Sequence, residues 1–258
     1  MSCVSEVGRV NEQRVAVITG GTKGIGKAIA RRLAQDACDI VLNYRSDDAA
    51  AQSALRDFDG LPGKVVAIKA DVAVSDDATR LIEAAVGRFG RLDILVNNVG
   101  PFLIRPLVET SDEEWRSILD SNLSSAFYCA RAALRIMRDR RTGSIINIGA
   151  LNVEHSPVGV FEAPAYYIAK TSVIMLTRSL ARSEARFNIR VNAVSPGFIE
   201  TEAYHHFRDE HKEAWARMIP LGRLGTPDEV AEAVSFLASD RAQYVTGAVL
   251  PVHGGLWV

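Results

Sequence analysis

The stretch Val15-Ala16-Val17-Ile18-Thr19-Gly20-Gly21-Thr22-Lys23-Gly24-Ile25-Gly26-Lys27-Ala28-Ile29-Ala30 decides the fold. Its first four residues form a continuous apolar run rather than an alternating one, the pattern of a strand buried on both faces. A glycine-rich turn follows, and residues 27–35 then carry apolar positions at helical spacing. A strand that passes through glycines into a helix leaves the first N–H groups of that helix unpaired, with the positive end of its dipole facing the turn. The glycines let the chain turn tightly, let a phosphate approach the backbone, and let the helix pack close to the strand. Glycine also collects in ordinary loops, so the weight lies in its placement between a buried strand and a helix.

The same unit recurs along the chain. Apolar runs at 40–42, 65–68, 94–96, 145–148, 191–194 and 245–252 are separated by amphipathic helix patterns such as 75–89, 112–137 and 171–185. Crossovers of that length imply parallel pairing, with helices on both faces of the sheet. The expectation is an α/β protein with a single-domain Rossmann fold, a doubly wound parallel sheet of seven strands. No linker, repeat or low-complexity tract divides residues 1–258. Residues 1–13 read as an N-terminal tail. At 198–224 the strand–helix rhythm lapses into an aromatic and charged insert, and inserts beyond strand ends are where such folds place substrate contacts.

Composition narrows the function classes. The chain is 48% hydrophobic and 24% charged with a formal net charge of -1, so no basic patch points to nucleic acid or an anionic membrane. Cys3, Cys38 and Cys129 stand far apart, as reduced thiols rather than a disulfide frame. Residues 1–14 lack the apolar core of a signal peptide, and no run approaches the roughly 18 apolar residues that span a bilayer. A cytoplasmic protein is expected. Tyr204-His205-His206-Phe207 and His211 lack a carboxylate or cysteine frame, so no metal is expected.

At the end of the second apolar run stands Asn43-Tyr44-Arg45-Ser46, with no acid until Asp47. A dinucleotide fold specific for NAD places a carboxylate there for the ribose 2′-hydroxyl, which would repel a 2′-phosphate. Lys23 and Arg45 are suited to clamp that phosphate through charge-assisted hydrogen bonds, with Ser46 as a further donor. NADP(H) is favoured over NAD(H), with dual use left open. Further along, Tyr166 and Lys170 are four residues apart at the start of a helix and share one face. A phenol is too weak an acid to donate readily at neutral pH, and a neighbouring ammonium favours its phenolate. Tyr167 is the rival phenol, three residues from Lys170, and reads as a packing aromatic.

These motifs, in this order, resemble the short-chain dehydrogenase/reductase family along nearly the whole chain, and in general cast its 3-oxoacyl-acyl-carrier-protein reductase subgroup. The matching segments are Thr-Gly-x3-Gly-x-Gly from Thr19, Asp71-Val72, Asn97-Asn98-Val99-Gly100, Asn122, Tyr166 with Lys170, and Pro196-Gly197-Phe198-Ile199-Glu200-Thr201. Leu221-Gly222-Arg223, Tyr244-Val245-Thr246-Gly247 and Gly254-Gly255 complete it, with His253 where the family carries an acid. The resemblance implies a cofactor site. Gly20, Thr22, Lys23, Gly24, Ile25 and Gly26 would take the pyrophosphate, and Tyr44, Arg45 and Ser46 the adenosine ribose. Asp71 and Val72 would meet the adenine, Pro196, Gly197, Ile199 and Thr201 the carboxamide, and Asn98, Val99 and Gly100 would also contact the cofactor. It further implies catalysis by Tyr166, with Lys170 on the nicotinamide ribose and Asn122 extending a water-linked proton relay. The reaction would reduce a ketone, such as a 3-oxoacyl thioester, or oxidise the alcohol. A homotetramer is also implied, built from residues 124–136, 173–180 and the apolar tail 255–258.

One position departs from the family. Its carbonyl-polarising serine falls on Ala150, and about three extra residues separate that position from Tyr166. Loss of one oxyanion donor typically costs on the order of 3 kcal/mol. Two routes around the loss are open: a donor from Asn152, His155 or Ser156, or Tyr166 alone acting on an activated substrate. The remaining readings are an NADPH-binding sensor or partner protein without turnover, and a pteridine-type reductase, although those carry an aspartate that is absent here. Phe102, Phe198, Tyr204, Phe207 and Trp215 are candidates to line an apolar pocket or to fill ordinary core.

Overall fold

The computed structural model describes residues 13–151, 162–202 and 209–256. Strand β1 (Val15–Ile18) has no exposed surface, and its apolar side chains pack into both layers of the protein. It pairs in parallel with β2 (Asp39–Tyr44) on one side and β4 (Ile94–Asn97) on the other. With β3 (Val65–Lys69), β5 (Gly143–Ile148), β6 (Ile189–Pro196) and β7 (Val249–Val252) the sheet has seven strands, all parallel, in the order β3-β2-β1-β4-β5-β6-β7. One core layer joins Ile18, Ile40 and Ile146 to Ile29 and Leu33 of α1 (Gly24–Gln35) and to Val230, Val234 and Leu237 of α8 (Pro227–Ala238). The other joins Val17, Leu95 and Ile145 to α3 (Ser75–Phe89), α5 (Ser125–Arg140) and α6 (Pro164–Glu184). Burying each such side chain contributes about 1.5–3 kcal/mol, which is why continuous apolar runs specify this two-sided sheet. The expected doubly wound α/β fold is the one observed.

Several boundaries differ from the sequence reading. The helix expected over 112–137 is α4 (Asp112–Leu119), a π-helical turn at Asp120–Ser124, and then α5. Periodicity alone does not register one inserted residue in a continuous apolar face. The strand expected at 245–252 begins only at Val249, because the Asn192 side chain takes over the preceding backbone, donating to Val245 O and accepting from Ala248 N. The insert at 198–224 contains a ten-residue helix, α7 (Asp209–Met218). α2 (Asp48–Arg56) completes the set and is capped by Asp47. No described helix is long and apolar enough to cross a membrane.

The chain places β2 and β3 to one side of β1 and then returns β4 to the other. The loops leaving β1 and β4 therefore diverge, and the crevice between them is where open α/β sheets bind ligands.

Candidate functional site

The floor of this crevice is stitched by polar side chains at the ends of buried strands. Thr19 Oγ1 accepts from the backbone N–H groups of Asn98 and Val99 at 2.9 and 3.2 Å. Asn98 Nδ2 returns the link by donating to Thr19 O and Gly20 O. On the other side Asn43 Oδ1 accepts from Gly20 N at 3.3 Å, while its Nδ2 donates to Ala70 O at 2.9 Å. The glycine turn is thus held to the ends of β2, β3 and β4 at once. A side chain at Gly26 would place a Cβ 2.3 Å from Gly20 O and 2.5 Å from Asn98 Nδ2, so helix and turn close only with glycine there. Thr19 opens the glycine-turn motif, but neither it nor Asn43 was expected to hold the turn in place. Their signal was a polar residue directly after a short apolar run.

The N-cap of α1 is Lys23, which has no acceptor to offer the first-turn N–H groups and makes no side-chain cap. Those donors are left for an anion. Gly24 faces Thr201 and Glu202, 3.6 Å from a Cβ built on it, and a cleft of about 330 Å³ opens there. Two of the segments expected to hold the cofactor therefore meet. Val72 is buried, and Asp71 lies two residues beyond the end of β3, its carboxylate accepting from Ala73 N. Pro196 closes β6 and Ile199 is buried, anchoring the segment that carries Gly197 and Thr201. Arg45 and Ser46 are exposed beside Tyr44. Lys23 is not free: it pairs with Asp47 at 2.5 Å.

Tyr166 and Lys170 lie in the first two turns of α6, which begins with Pro164 at a position where a missing N–H costs nothing. Lys170 is 3% exposed, and its Nζ donates to Ile148 O at 2.8 Å. Burial pushes its ammonium down to about 8. The same Nζ lies 5.9 Å from the centre of the Tyr166 ring. Tyr166 stands edge-on between Phe102, at 4.7 Å, and Tyr167, at 5.4 Å. Phe102 is 56% exposed, so it belongs to the mouth of the site rather than to the core.

Asn122 falls in the π-helical turn and is fully buried, not solvent-facing. Its Nδ2 donates to Pro101 O and Ile118 O, and its Oδ1 has no partner among the described residues. Gly100 separates Asn122 from Lys170. A Cβ built there would lie 2.5 Å from both Asn122 Oδ1 and Lys170 Nζ, so those two atoms are no more than about 5 Å apart. Polar atoms up to that far apart are within reach of a single bridging water.

Ala150 is buried two residues beyond the end of β5. Asn152, His155 and Ser156 lie outside the described residues, as do Cys3, Tyr204, His205, His206, Phe207, Trp257 and Val258. Phe198 stacks on Trp215 of α7 at 5.4 Å, and His211 stacks on the same indole. His253 Nδ1 is buried and without a partner among the described residues, against Gly197. No group of metal-binding side chains occurs among the described residues.

Residues 20–257 match the family described as enoyl-(acyl carrier protein) reductase. The chain is 40% identical to a 3-oxoacyl-acyl-carrier-protein reductase of Vibrio cholerae over 96% of its own length and 98% of the relative's. A Staphylococcus aureus protein of the same name is 37% identical, over 94% and 98%. Among solved structures, a double mutant of a Serratia marcescens short-chain dehydrogenase/reductase superposes with a TM-score of 0.88 at 34% identity, covering 95% of this chain and 98% of that one. A short-chain alcohol dehydrogenase assigned in Sinorhizobium meliloti gives 0.88 at 33%, covering 94% and 96%. The chain belongs to the short-chain dehydrogenase/reductase family of oxidoreductases, with a likeness to its 3-oxoacyl-acyl-carrier-protein reductases.

Proposed function

We propose that the protein is an NADP(H)-dependent reductase of ketones, with Tyr166 as proton donor. The observation that carries this is Lys170, a buried ammonium with only the Ile148 carbonyl as hydrogen-bond partner among the described residues, set beside a phenol at the mouth of a dinucleotide crevice. A buried charge without a carboxylate is costly, and a fold retains it where a ligand or a reaction uses it.

The residues present fit a nicotinamide dinucleotide. The uncapped start of α1 suits the pyrophosphate, with Gly20, Thr22, Gly24, Ile25 and Gly26 around it. Asp71, Val72, Asn98 and Val99 border the path toward Gly100, and Pro196, Gly197, Ile199 and Thr201 suit the carboxamide. Arg45, with Lys23, Tyr44 and Ser46 beside it, favours the 2′-phosphate. A bound nicotinamide would supply hydride to the carbonyl carbon, or accept it in the reverse direction. Tyr166 donates its phenolic proton to the carbonyl oxygen as negative charge develops there. Lys170 favours the phenolate that results, and its free N–H groups suit the ribose hydroxyls. With its ammonium held near 8, Lys170 also exchanges protons close to neutral pH. Asn122 Oδ1 would accept a hydrogen bond from a water that returns the proton through Lys170.

Ala150 contributes no hydroxyl, so an activated carbonyl that polarises readily is the best-suited substrate. A 3-oxoacyl thioester is of that class, and the likeness to acyl-carrier-protein reductases favours it. A second copy of the chain would cover α5 and α6, where Phe127 is 42% and Met175 61% exposed, in a homotetramer. The test is consumption of NADPH against a panel of diketones, acetoacetyl thioesters and pterins, beside titrations with NADPH and NADH. Turnover of the activated ketones with at least about tenfold tighter NADPH binding supports the reading. Binding without turnover on any substrate overturns it in favour of a sensor or partner protein.

A further inference from the structure

One tight turn at the end of β7 touches both the segment proposed for the carboxamide and the end of the insert. Gly197 N donates to Val252 O at 2.9 Å, and a Cβ built on Gly197 would lie 2.7 Å from His253 Cβ and 2.8 Å from its Cα. Val252 and His253 therefore press directly on the Gly197 backbone. Gly254 and Gly255 then turn the chain in the left-handed region, at φ of 64° and 83°. That brings the turn against the end of the insert. Leu221 N donates to Gly254 O at 3.2 Å, and a Cβ on Gly254 would meet Ile219 Cγ2 at 2.6 Å. A Cβ on Gly255 would lie 3.2 Å from Pro220. Contacts this close leave little slack, so a displacement of Gly197 is passed through the turn to residues 219–221.

His253 is the polar side chain of this turn. Its Nδ1 is buried and has no partner among the described residues. A buried nitrogen in that condition destabilises its surroundings until a hydrogen-bond partner reaches it. We propose that His253 is a positioning residue that couples the cofactor seat to the substrate insert. When a nucleotide settles on residues 196–201, His253 Nδ1 gains its partner and the turn draws residues 219–221 into place. This rests on the dinucleotide reading above. The insert meets the same segment at a second point, where Trp215 of α7 stacks on Phe198 at 5.4 Å. Linkage makes the effect mutual, so an ordered insert also tightens the nucleotide.

Hydrogen exchange tests this without turnover. Deuterium uptake over residues 216–224 is followed with and without saturating NADP+ or NAD+ in the wild type, His253→Asn and His253→Leu. The nucleotide is expected to slow exchange of the Leu221 amide about tenfold in the wild type. His253→Asn, whose amide keeps a polar group near the Nδ1 position, retains that slowing, and His253→Leu, which fills space without one, loses it. In protein carrying 15N-labelled histidine, the Nδ1 resonance missing from the His253→Asn spectrum is expected to shift as the nucleotide binds. Equal slowing in His253→Leu overturns the proposal, as does a wild type that binds nucleotide without the slowing or without the shift. If His253→Leu melts at a lower temperature, the His253→Asn and resonance results decide. Failure to bind either nucleotide defeats the dinucleotide reading, and this inference with it.

Discussion

At the glycine turn, Thr19, Asn43 and Asn98 tie the loop to three strand ends through hydrogen bonds of 2.9 to 3.3 Å. At Tyr166 the polar groups are left open: Asn122 Oδ1 is buried without a partner among the described residues, and Lys170 keeps its ammonium against one carbonyl. In the first region the strand ends form a frame whose side-chain hydrogen bonds close within the protein, leaving the first-turn N–H groups of α1 open above it. The second carries unsatisfied donors and acceptors that cost stability until a ligand or water meets them. Open N–H groups on a rigid frame suit binding of an anion, and buried polar side chains left without partners suit chemistry.

Substituting the buried cation breaks that contrast with the largest expected effect. Lys170→Met is expected to lower turnover by ~10³-fold or more, through loss of the charge that assists the phenol. The same change should leave the melting temperature of the cofactor-free protein at neutral pH unchanged or higher. In the fold the ammonium is held near 8 against an ordinary 10.5, so the unfolded chain binds more protons between those values. The cost is therefore full below about pH 8, of order 3 kcal/mol, and fades as pH rises toward 10.5. Melts in neutral and alkaline buffer check this. Strong destabilisation by methionine at neutral pH would mean that Lys170 holds the fold together rather than serving the site.

The fold was legible because buried parallel strands leave continuous apolar runs, and 15–18 and 94–96 read directly as β1 and β4. Tyr166, Lys170 and the glycine turn could be singled out from the sequence because the chemistry proposed for them demands fixed residue types at fixed spacing. Other features left no such trace. The π-helical turn that buries Asn122 inserts one residue into a face that stays apolar, and the Lys23–Asp47 pair joins residues that become neighbours only when β2 pairs with β1. The reading of Lys23 as an uncommitted phosphate ligand missed that contact for this reason.

Gly100 sharpens the comparison, since it sets the gap in which Asn122 and Lys170 face each other. Gly100→Ala is expected to reduce turnover about 10²-fold by displacing those groups, and to destabilise by about 1–3 kcal/mol. Gly87→Ala, in α3 with nothing within 4 Å of the added carbon, is the control and should raise stability slightly. Equal behaviour of the two variants would show that the gap at Gly100 is not used.

Ala150→Ser has a smaller expected effect and the opposite sign. If the methyl occupies the oxyanion position, the added hydroxyl should raise turnover of an activated ketone about tenfold, with ~10² as the ceiling for one donor. A neutral or harmful result would assign the donor to residues 152–156 instead, and replacing Asn152, His155 and Ser156 in turn would then locate it.

Tyr166→Phe tests the central claim most directly, with NADPH binding and ketone reduction measured on the same preparation beside the wild type. The account predicts that turnover disappears while NADPH affinity stays within a few-fold, because the phenol acts on the carbonyl oxygen and the nucleotide is held by the glycine turn. A reductase rate that survives Tyr166→Phe unchanged would contradict it and remove Tyr166 as the proton donor.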